Sequence, residues 1–89
     1  MMLHYWVREY SEGIEFPEVH IYQDQATARR VMIDEAFEAA TNWPDARVTE
    51  QMDGPTVAYS EVSPGIRGLN VQWSNDGAVD CFRLGEQDL

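Results

Sequence analysis

A chain of 89 residues has room for one domain and a modest core, since a chain of this size buries only about two-thirds of its unfolded surface. Its formal charge is −10, from sixteen Asp and Glu against six Arg and no Lys, a field that repels nucleic acid and anionic lipid and argues against direct contact with either. Three Trp, four Tyr and three Phe among 44% hydrophobic residues exclude a disordered chain, and no apolar run approaches the roughly 18 residues of a membrane span. A lone Cys81 cannot close an internal disulfide, and with no basic, apolar leader at the N-terminus the expected compartment is the cytoplasm of a bacterium or an infected host cell.

Leu3–Tyr10 reads as the first strand, with Leu3, Tyr5 and Val7 alternating against His4, Trp6, Arg8 and Tyr10. Both faces are well covered, which suggests a central strand. Ser11–Glu18, holding Gly13 and Pro17, is a loop, and Val19–Gln23 is a short second strand, so the two form a hairpin with a long connection. Glu9, Glu12, Glu15 and Glu18 recur at every third residue of this stretch, which in extended chain places carboxylates roughly 10 Å apart.

Gln25–Thr41 is the one convincing helix. Ala28, Val31, Met32, Ala36, Ala39 and Ala40 recur at three- and four-residue intervals, with Ile33 and Phe37 widening the stripe, and Thr27, Arg30, Asp34, Glu38 and Thr41 line the opposite face. Asp24 is placed to cap the first turn, and Asn42-Trp43-Pro44 closes the last, because Pro44 cannot continue a helix.

Beyond Pro44, Ala46–Met52 and Thr56–Val62 read as strands joined at Asp53-Gly54-Pro55. Leu69, Val71 and Trp73 then approach Asp76-Gly77, a dipeptide suited to a two-residue turn, which would set Val71 opposite Phe82, Leu69 opposite Leu84 and Asp80 opposite Trp73. The other face of that hairpin would carry mainly Asn70, Gln72, Ser74, Cys81 and Arg83, with Val79 the exception. Glu86-Gln87-Asp88-Leu89 reads as a frayed polar tail, beginning at about residue 85. The expected fold is α+β, an antiparallel sheet of about five to six strands with one helix packed on one face, in the order β-β-α-β-β-β-β.

Catalytic and ligand chemistry is sparse. His4 and His20 lie on strands that could be neighbours, but no helical His pair or paired-Cys spacing supports a zinc site, and they read as ordinary sheet histidines. Ser60 or Ser63 lacks the turn that presents a nucleophile, Asn75-Asp76-Gly77 lacks the alternating oxygens of a calcium loop, and no Gly-rich phosphate pattern occurs. No enzyme, metal or cofactor is therefore expected.

The acids carry the functional lead, although they equally suit a plain solvated surface that keeps a small protein soluble. Carboxylates two apart on a strand, or three and four apart on a helix, reproduce spacings comparable to those of a nucleic-acid backbone. Glu9, Glu12, Glu15 and Glu18 with Asp34, Glu35 and Glu38 are the candidate contact residues, and Trp6 and Tyr22 the candidate desolvated anchors. The expectation is a small acidic inhibitor, monomeric or homodimeric, that occludes a basic, nucleic-acid-handling protein in the manner of phage anti-defence proteins that counter CRISPR or restriction systems. The alternative is an immunity or antitoxin protein that neutralises one cognate toxin by shape.

Overall fold

The computed structural model describes residues 3–11, 18–50, 54–72 and 79–88. The fold is α+β, with one helix on a five-stranded antiparallel sheet. In chain order the elements are β1 (Leu3–Ser11), β2 (Glu18–Tyr22), α1 (Gln25–Ala40), β3 (Arg47–Thr49), a 3-10 turn (Tyr59–Glu61), β4 (Gly68–Gln72) and β5 (Val79–Asp88). The strands lie in the order β2-β1-β5-β4-β3, so β1 is flanked on both sides, as its two covered faces imply, and α1 crosses from one outer strand to the other.

The helix forms as its spacing predicts. The Asp24 side chain accepts from the backbone N–H and the hydroxyl of Thr27, closing the first turn, and the Thr41 hydroxyl donates to the Glu38 carbonyl at the last. Ala28, Met32, Ile33 and Ala36 are buried, while Thr27, Arg30, Asp34, Glu38 and Thr41 are all exposed. Small alanines on the buried stripe let the backbone approach the sheet closely. Against them lie Val7, Val48, Leu69, Val71, Phe82 and Leu84, one alternate set from four strands, which with the helix residues make the core.

The face away from the helix has no second layer among the described residues, yet it is not bare. Trp6 stands opposite Gly85, and a Cβ there would lie 1.9 Å from the indole Cζ2, so the ring rests directly on the glycine backbone. Arg83 does the same for Gly68, where its Cδ would be 2.8 Å from an added Cβ, and its guanidinium donates to the carbonyls of Leu69 and Phe82 and to Asn70 Oδ1. That network buries Asn70, which sequence alternation assigns to a polar face.

Three local expectations change. Thr56–Val62 enters the sheet only through the bridge Thr49–Thr56, because Glu61 folds back to accept from the Ala58 N–H and turns Tyr59–Glu61 into a 3-10 turn. Within the β4–β5 pair, Leu69 faces Phe82 and Val71 faces Asp80, two positions away from the register a two-residue turn would impose. A shift of two preserves which side chains share a face, so the core survives it. The residues read as a polar tail, Glu86, Gln87 and Asp88, instead extend β5 opposite Tyr5, His4 and Leu3, since the long β1 strand supplies a backbone partner. The Asp76-Gly77 turn, Trp73, Met52, Asp53, Glu12 and Glu15 lie outside the described residues.

Candidate functional site

Alternation along β1 puts Glu9 on the face that carries Tyr5 and Val7, one step beyond the end of the core. The β1–β2 register sets Glu18 directly opposite Glu9, and His20 opposite Val7 on the same side. Above them passes α1. Glu35 and Glu38 lie three apart on the helix, and with Glu9, Ala39, Asn42 and Phe82 they line an open cleft of about 370 Å³. Two strands and a helix thus bring four of the seven candidate acids to one side of the molecule.

Glu9 is the group most altered by this environment. Its carboxyl is pushed up to about 7, first by burial and then by a hydrogen bond shared with Glu35, with the charges of Glu35 and Glu18 adding and that of His20 opposing. Burial and like charge both oppose ionisation, so the neutral form of Glu9 is favoured here. Glu9 Oε1 is buried with no hydrogen-bond partner among the described residues. Tyr22 borders the same patch: burial raises its phenol first, and the charges of Glu35 and Glu9 raise it further. At the rim, His20 Nε2 lies 2.9 Å from Glu18 Oε1, a contact between two exposed side chains.

The other candidates sit elsewhere. Asp34 accepts a hydrogen bond from the Tyr59 hydroxyl on the side of the helix where Phe37 meets the Tyr59 ring edge-on at 5.4 Å. Trp6 is on the opposite face of the sheet, covering Gly85 with Ile21 as its β2 neighbour. Asn42 and Phe82 line the cleft without having been singled out by residue type; the pairing of Glu9 with Phe82 that places the latter there depends on β5 lying beside β1. Among the described residues no group of His, Cys, Asp and Glu is arranged to hold a metal, and no helix is long and apolar enough to cross a membrane.

No known family model, curated protein or solved structure matches the chain.

Proposed function

We propose that this chain is an acidic protein that binds and occludes a basic, nucleic-acid-handling protein, its carboxylates standing in for phosphates. The observation that carries the reading is the convergence of Glu9, Glu18, Glu35 and Glu38 beside Tyr22, on a chain whose formal charge is −10. A patch of that sign steers encounter with Arg and Lys on a partner, while the half-buried Tyr22 supplies area that can be desolvated. The target on this reading is a groove that otherwise holds a nucleic-acid backbone, as in the inhibition of phage-defence nucleases.

The test is capture from bacterial lysate on the immobilised protein, with elution in steps of rising salt, followed by competition between nucleic acid and the captured partner. A nucleic-acid-binding protein released by moderate salt and displaced by nucleic acid is the expected result. A single partner that resists high salt and ignores nucleic acid would point instead to a shape-specific immunity protein. With the partner in hand, Glu35→Lys with Glu38→Lys should slow association about tenfold at low salt, whereas Asp34→Lys, on the Tyr59 side, should change it little. Association unchanged by the double reversal would sink the assignment of this patch.

One observation favours a second reading. A carboxyl held partly protonated near neutrality in a cleft, beside a second carboxylate, is suited to general acid–base work. A panel of model esters, glycosides and phosphodiesters tested with the unchanged protein and with Glu9→Gln separates the two: turnover abolished by the amide supports chemistry, and full partner binding without any turnover supports occlusion.

A further inference from the structure

Among the described residues, Val19 and Ile21 are exposed at 50% and 57%, and they alternate on β2, the outer strand of the sheet. β2 pairs with β1 along one edge, and no described strand pairs with the other. A free edge presents unpaired backbone N–H and C=O groups, and natural sheets ordinarily blunt it by shortness, Pro, Lys, a bulge or a covering segment. β2 shows few of these devices: it runs five residues, Glu18-Val19-His20-Ile21-Tyr22, and its Glu18 and His20 side chains are occupied with each other. The edge is therefore fit to accept an added strand.

Charge decides what kind. The two faces of β2 differ, with Val19 and Ile21 on the side of Arg8 and Trp6, and Glu18, His20 and Tyr22 on the side of Glu9 and α1, so the carboxylates lie on one face only. A strand added about 4.8 Å away alternates with the same period, so its successive side chains would meet an apolar strip and a carboxylate strip in turn. A second copy of this chain suits the apolar strip but brings its own Glu18 to the carboxylate side and −10 against −10. We propose that the outer edge of β2 receives an extended basic segment of a partner protein, in which Lys or Arg alternates with branched aliphatic residues. The aliphatics pack on Val19 and Ile21, the cations face Glu18 and the cleft behind it, and the backbone extends the sheet by a sixth strand. This rests on the basic-partner reading above and supplies its mode of contact.

The test uses two labelled peptides of identical composition at low salt: one alternates Arg with Val and Ile, the other holds its Arg residues in a block. The alternating peptide should bind about tenfold more tightly. Its amide chemical-shift changes should centre on Glu18–Tyr22, and Ile21→Lys, an exposed position where folding is checked by circular dichroism, should lose that advantage. Equal binding by both peptides, with shifts on α1 alone, would overturn the edge proposal and leave the basic-partner reading standing. Binding of neither would overturn both. Concentration-dependent dimers abolished by Ile21→Lys would assign the edge to a second copy and overturn the proposal. Because the peptide comparison is made on the unchanged protein, it does not depend on the variant folding.

Discussion

The outer strands β3 and β2 end the same sheet in opposite ways. β3 is three residues long, with Val48 and Thr49 buried, and the chain that follows closes over it: Thr56 bridges Thr49, the Val57 N–H donates to the Val48 carbonyl, and Glu50 accepts from the Ser63 N–H. Arg29, from the helix, reaches the Ser63 carbonyl at 2.7 Å and pins this segment further. On β2, four of the five residues are exposed, with Glu9 and Glu35 on the side of Glu18 and Arg8 opposite Val19 on the other. Among the described residues one edge is closed by following chain and the other has no strand beyond it. Burial is thus concentrated at β3 and exposure at β2.

Four comparisons would break or sharpen this contrast. Gly85→Ala should be the most damaging, at about 3 kcal/mol by urea unfolding, since the new Cβ collides with the Trp6 ring rather than with a flexible chain end. Trp6 backs Ile21 on β2, so amide exchange should rise on the β2 side before it rises at β3; uniform loosening would mean that the two edges are not independently supported. Next, Val48→Ala should cost about 2 kcal/mol, the lost methyls plus a residual cavity, while Ile21→Ala stays within about 0.5 kcal/mol. Equal losses at the two sites would erase the distinction between a covered edge and a free one.

The third effect is smaller and depends on pH. The folded state raises the Glu9 carboxyl to about 7, so the stability it contributes is fully present below the ordinary carboxylate range and is lost as pH rises towards and through 7. The full linkage would be about 3 kcal/mol, and solvent access to this half-buried group should screen it to about 1 kcal/mol. Glu9→Gln should flatten the profile between about pH 4.5 and 7, which chemical denaturation at stepped pH would read directly. Below that window Asp24 acts in the opposite sense: its hydrogen bonds with Thr27 hold its carboxyl low, so protonation there weakens the helix cap as pH falls. A profile in Glu9→Gln that still declines towards pH 7 would locate the titration in another group.

The smallest effect is expected at the covered edge itself. Arg47 donates from Nε and Nη2 to Gln72 Oε1, its register partner on β4. The contact is exposed, so Arg47→Ala should cost no more than about 0.5 kcal/mol. A loss several times larger would show that β3 is held by its side-chain clamp rather than by the buried Val48 and the segment over it.

Much of the fold is written in local spacing. Three- and four-residue recurrence, an Asp before it and a Pro after it define α1, and the helix matches that reading to within one residue at its C-terminal end. Glu9 shows how far such spacing reaches. Its place on the Tyr5 and Val7 face follows from alternation alone, so a carboxylate at the margin of the apolar face is legible in the sequence by itself. Its meeting with Glu35 is not, because a helix joining the two outer strands can cross a sheet at more than one angle, and no residue of the helix encodes the crossing by itself. The same limit applies to Asp34, which shares the exposed helix line with Glu38 yet is engaged by Tyr59 from a segment that looks like a strand in isolation.

Hydrophobic periodicity and caps act over a few positions, and they determined the α+β class, the helix and the faces of the strands. The 3-10 turn at Tyr59–Glu61 is a local device, closed by Glu61 on the Ala58 N–H. Strand register and the extension of β5 to Asp88 were settled by tertiary context, above all by pairing between distant segments, where a backbone partner outweighs local polarity. The acid cleft belongs to that second kind. Carboxylates far apart in sequence converge on it only because core packing fixes α1 above β1 and β2, and the burial and like charge that result hold the Glu9 carboxyl above the ordinary range.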